Sequence, residues 1–120
     1  MTPFEQFAEK LKLDQKTQLP AVQEIFLSAQ KEANPIGVEM LQLRQKLLNV
    51  DLGNTTDDRK AVLDAYAAAA IKMSGVESRT FAKVYEMLNP SQQGNAAQAF
   101  ALLTGFFQPT GGGGGRGGRQ

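Results

Sequence analysis

Two apolar stripes, each repeating at steps of three and four residues, constrain what this chain can fold into. Val22, Ile25, Ala29, Ala33, Ile36, Met40, Leu43, Leu47 and Val50 form the first; Val62, Tyr66, Ala69, Met73, Val76, Thr80, Val84 and Met87 form the second. That spacing places each set on one face of an α-helix. Leu41 and Leu48 widen the first stripe, and Phe81, Tyr85 and Leu88 flank the second. No segment alternates with a period of two, so no strand is expected. Long helices are predicted over about 14–50 and 56–88.

The first stripe keeps its phase across Asn34-Pro35, which favours a kink over a break there. Gly53 and Asn54 turn the chain, and Thr55 stands three residues before Asp58 in a capping-box-like start. Helices joined so closely run antiparallel. The small run Ala67-Ala68-Ala69-Ala70 marks where they approach. At Asn89-Pro90-Ser91-Gln92 a good N-cap, a proline for the first helical position and a glutamine at N3 coincide, predicting a last helix over about 90–107. At the other end, Pro3 to Phe7 is expected to form one short turn before Leu11 and Leu13. The reading is a single all-α domain over 1–108, a long antiparallel helical hairpin with short terminal helices, and a disordered Gly/Arg tail over 109–120. So thin a hairpin cannot cover stripes this wide, and a symmetric dimer is expected.

Absent residue types narrow the chemistry. The 120 residues include no Cys and no His, which excludes thiolate and imidazole metal sites, Cys nucleophiles and Ser-His-Asp triads. Asp57, Asp58 and Asp64 lie at a helix start beside Arg59 and Lys60, where acids are solvated caps, so neither an enzyme nor a cofactor is expected. No apolar run approaches the roughly 18 residues of a membrane helix, so no membrane insertion is expected. The opening Met1-Thr2-Pro3-Phe4 lacks the basic flank and apolar stretch of a signal peptide, which leaves a cytosolic chain or the mature part of an exported one. Arg116 and Arg119 account for the net charge of +1, leaving 11 basic against 12 acidic residues before the tail. Nucleic-acid binding would therefore rest on two arginines with no interleaved aromatic, which supply little affinity.

Two short motifs add to this. Leu13-Asp14-Gln15-Lys16-Thr17-Gln18 opens the first long helix and Leu88-Asn89-Pro90-Ser91-Gln92 opens the last, with the Leu-rich arm Leu41-Gln42-Leu43-Arg44-Gln45 between them. Their order around a hairpin resembles the paired Leu-Thr-x-x-Gln motifs of the LTxxQ, or Spy/CpxP-like, bacterial periplasmic proteins, over about residues 11–107. Asn89 stands in place of Thr in the second motif; in the first, Asp14 replaces Thr and Gln18 falls one residue late. The residues themselves read as helix caps (Asp14, Asn89, Pro90, Gln18, Gln92) with Leu13 and Leu88 in the core.

The resemblance implies a stress-response protein that dimerises into a thin curved cradle in the periplasm. Spy-like members are ATP-independent chaperones that hold unfolded or aggregation-prone proteins, and CpxP-like members damp an envelope-stress sensor. A holdase is thus the leading expectation, a regulatory adaptor for one sensor protein the alternative, and a nucleic-acid-associated protein using the Gly/Arg tail a further one. For a holdase, the candidate client-binding residues are Phe4, Phe7, Met40, Met73, Phe106 and Phe107, expected as exposed apolar contacts.

Overall fold

A long pair of helices, α2 (Gln18–Asp51) and α3 (Arg59–Glu86), forms the body of a computed structural model that describes residues 1–109. The Gly/Arg tail, beyond Pro109, lies outside the described residues. Three shorter helices, α1 (Pro3–Leu11), α4 (Pro90–Gln93) and α5 (Ala96–Ala101), complete an all-α hairpin with no strand among the described residues. None of these helices is long and apolar enough to cross a membrane.

Both stripes meet where their spacing places them. Val22, Phe26, Ala29, Ala33, Gly37, Met40 and Leu43 of α2 are buried against Val62, Ala69, Met73, Val76, Thr80 and Val84 of α3. Gly37 lies where the helices come close: a Cβ there would sit 3.8 Å from Met73 Cε. The helix runs unbroken through Pro35, because packing on either side holds the phase the stripe requires. Thr80 is buried on the apolar face without an orphan hydroxyl, since its Oγ1 donates to the Val76 carbonyl at 2.6 Å.

Several expectations change. Leu41 and Leu48 do not widen the core stripe; they are exposed on the outer side of α2, where Leu27, Val38 and Leu52 are exposed as well. Asp58, not Thr55, caps α3, accepting from the Ala61 N–H at 3.0 Å. The single helix expected over 90–107 is two short ones, α4 and α5, separated at Gly94-Asn95, followed by turns in which Gly105 takes a positive φ of 79°. Glycine and asparagine both favour leaving the helix, and those turns fold the C-terminus back onto the hairpin.

The N-terminus is a nine-residue helix, not one turn. Thr2 accepts from the Glu5 N–H at 3.1 Å while the Glu5 carboxylate accepts from the Thr2 N–H at 2.8 Å, with Pro3 at the first helical position. Thr2-Pro3-Phe4-Glu5 thus repeats the start signal of Asn89-Pro90-Ser91-Gln92. Helices α1 and α5 pack together over the end of the hairpin that holds Phe26 and Phe81. All seven Phe join in one network there: Phe81 stacks on Phe100 at 4.6 Å, Phe7 meets Phe100 and Phe26, and Phe26 meets Phe4, Phe106 and Phe107.

Candidate functional site

The two motifs are brought together at the end of the hairpin away from the turn that joins α2 to α3. Asn89 Oδ1 accepts from the Gln92 N–H at 2.9 Å, and Gln92 Oε1 accepts from the Asn89 N–H at 3.0 Å, a complete capping box. In the first motif Asp14 Oδ2 accepts from Thr17 N–H at 2.8 Å and from Thr17 Oγ1 at 2.6 Å, while Gln18 Oε1 accepts from the Asp14 N–H at 2.9 Å. These hydrogen bonds from the Thr17 hydroxyl and backbone hold the Asp14 carboxyl below its ordinary range.

The residue that makes Gln18 one position late is absorbed by a widened turn. The Asp14 carbonyl accepts from both Gln18 N–H, at 3.0 Å, and Leu19 N–H, at 2.8 Å, so the first turn carries an i→i+5 bond. Pro20 falls in the first turn of α2, where its missing N–H leaves no helical bond unmade. With the extra residue taken up, Gln18 points its amide at Gln92. Each Nε2 donates to the other's Oε1 at 2.8 Å, and further donations reach Met87 O at 3.4 Å and Lys12 O at 3.3 Å. Leu13, Leu88 and Gln92 are buried around this clasp. Asp14, Gln18, Asn89 and Gln92 therefore all have structural partners.

The candidate client-binding residues separate into two groups. Phe7, Met40, Met73 and Phe107 are buried in the core, and the expectation that they are exposed is corrected. Phe7 and Phe107 are covered because α1 and the C-terminal turns fold over each other; Met40 and Met73 fill the interface between α2 and α3. Phe4 is half-buried, and Phe106 is 38% exposed. These two line an open hollow of about 400 Å³ with Phe26, Leu27, Gln23 and Gln30. Phe26 forms its floor, and Leu27, 56% exposed, its outer wall. The apolar stripe takes Ile25 and so leaves out Phe26 beside it. Its spacing of four from Val22 and three from Ala29 was the available signal.

Of the three acids singled out around the start of α3, Asp58 and Asp64 hold structural positions and Asp57 is exposed. Asp58 caps α3, Lys60 pairs with Asp64 at 2.7 Å, and Asp51 pairs with Arg59 at 2.9 Å. The chain matches no family model, no curated protein and no solved structure.

Proposed function

We propose that this protein is a non-enzymatic, ATP-independent holdase of the Spy/CpxP-like kind, acting on unfolded or partly folded proteins in the periplasm. The observation that carries this reading is the apolar hollow of Phe4, Phe26, Leu27 and Phe106, open to solvent on a fold whose other phenylalanine rings are packed. Exposed apolar surface of this kind marks a binding site. The meeting of the Asp14–Gln18 and Asn89–Gln92 motifs supports the family resemblance, since motifs that precede and follow the hairpin in sequence close one structure. An apolar client segment would lie against the hollow and leave again without a nucleotide cycle. A second copy of the chain is proposed to cover the outer apolar residues of α2.

Light scattering of a chemically denatured client diluted into buffer without ATP tests this. Suppression of aggregation at near-stoichiometric amounts, weakened by Phe106→Ala with Leu27→Asp, is the expected result. No suppression with several unrelated clients overturns the general holdase and leaves the adaptor for a single sensor protein.

A further inference from the structure

The hollow beside Phe106 continues past Phe4. Phe4 and Gln23 also line a second hollow of about 460 Å³, floored by Ala8, Leu13 and Leu19. The rims of the two differ. Around the first the polar groups are the neutral amides of Gln23 and Gln30; along the second, the α1 wall carries Glu5 and Glu9, both exposed and one helical turn apart. Lys12, at the other end of α1, and Gln15 complete that rim. The ion pairs among the described residues join Arg59 to Asp51, Lys60 to Asp64 and Arg79 to Glu32, and none engages Glu5 or Glu9.

This arrangement selects among occupants. Two hollows with apolar floors, meeting at the Phe4 ring, fit a segment with two large apolar side chains on one face, as an amphipathic helix presents them. The chain's own residues 110–120 are Thr, Gly, Arg and Gln and have nothing apolar to place there. An acidic segment in the second hollow would set like charges against Glu5 and Glu9, whereas a basic one pairs with them. We propose that this double groove takes an amphipathic protein segment bearing two large apolar anchors, with Lys or Arg beside the anchor that enters the Glu5–Glu9 hollow. The inference rests on the holdase reading and names the chemistry of the preferred client.

Fluorescence anisotropy with the full chain and three labelled peptides tests it. The peptides share two Phe anchors and differ only in carrying Arg, Gln or Glu at the flanking positions. The Arg peptide is expected to bind about five-fold tighter than the Gln peptide, the ratio that one or two exposed ion pairs supply, and the Glu peptide weakest. Added salt shrinks the preference. Glu5→Gln with Glu9→Gln abolishes it, and glutamine at position 5 still serves the Thr2 cap, so α1 survives. Equal binding of all three peptides, weakened equally by Phe106→Ala, overturns the charge preference and leaves the groove. A preference that persists in the double variant also overturns it. If no peptide binds, the groove falls with it.

Discussion

The side-chain amides of Gln18 and Gln92 form a closed reciprocal pair, each Nε2 donating to the other's Oε1 at 2.8 Å. The backbone fixes this orientation: Asp14 N–H donates to Gln18 Oε1 and Asn89 N–H to Gln92 Oε1, so those atoms must be oxygens and the nitrogens are left for the partner. One pair thereby ties the start of α2 to the start of α4, 74 residues apart in sequence, and satisfies a buried polar side chain.

Gln92→Ala is expected to cost about 2–3 kcal/mol, because it strands the Gln18 amide and the Asn89 N–H as well as removing the pair itself. Gln18→Ala should cost less, since Gln18 is only half-buried. The double variant is expected to cost less than the sum of the two, with a coupling of about 1 kcal/mol readable from urea unfolding. Strict additivity would show that the amides do not depend on each other.

Acid should loosen both the Thr2–Glu5 capping box and the Asp14–Thr17 turn that leads into α2. The backbone N–H and hydroxyl of Thr2 hold the Glu5 carboxyl below its ordinary value of 4.5, and the hydroxyl and backbone of Thr17 hold Asp14 below 3.8. A group depressed on folding contributes stability that is present above its unfolded value and is lost as pH falls through the folded one. Tm is therefore expected to be flat above about pH 5 and to decline below about pH 4. Asp14→Asn with Glu5→Gln keeps an acceptor oxygen at both places without the titration, and should decline less over the same window. An unchanged slope would assign the acid sensitivity to other carboxylates.

The apolar spacing alone located nearly every buried contact between α2 and α3, because a helix that must bury one face repeats that face at 3.6 residues. Closure of the hairpin's end was less legible. The Thr2-Pro3-Phe4-Glu5 signal has the same form as the one read at Asn89, yet a start signal does not say how far a helix runs, and α1 reaches Leu11 only because Phe7 and Leu11 find a core. The hollow could not be read from the sequence for a related reason. It consists of Phe4 from α1, Phe26 and Leu27 from α2, and Phe106 from the final turns, residues that local spacing does not bring together. Exposure likewise depends on which ring covers which, so Phe7 and Phe106 look alike in sequence and differ in the fold.

That difference separates stability from binding. Met40→Ala or Met73→Ala removes a side chain that is 1% exposed, and each should cost about 2–5 kcal/mol through the cavity left between α2 and α3. Phe106→Ala, at a ring 38% exposed, should cost far less and leave the circular dichroism spectrum unchanged while weakening client retention. A Phe106 variant that unfolds as readily as the Met variants would make the hollow a packing defect and not a binding surface.

Pro35 offers a stabilising change. It sits inside α2, is exposed, and has no N–H to give the carbonyl four residues back. Alanine is about 3 kcal/mol better in a helix interior, and the extra freedom it gives the unfolded chain offsets up to about 1 kcal/mol. Pro35→Ala is thus expected to raise stability by about 2 kcal/mol, read as a higher urea midpoint at constant m. A loss instead would mean that the packing of Ile36 and Gly37 against α3 depends on the backbone path the proline sets.

The proposed dimer makes a prediction about the outer side of α2. Val38, Leu41, Leu48 and Leu52 follow one another at steps of three, seven and four, and all are exposed. That is the spacing of a coiled-coil seam in which Gln45 takes the remaining central position, where a polar side chain sets register. The face points away from the core, so Leu41→Lys with Leu48→Lys should leave the monomer's unfolding transition nearly unchanged. If two copies meet along this seam, light scattering on an eluting peak should give twice the chain mass of 13.0 kDa for the parent and the single mass for the double variant. A parent that elutes as a monomer at tens of micromolar overturns the dimer. A double variant that stays dimeric moves the contact to another face.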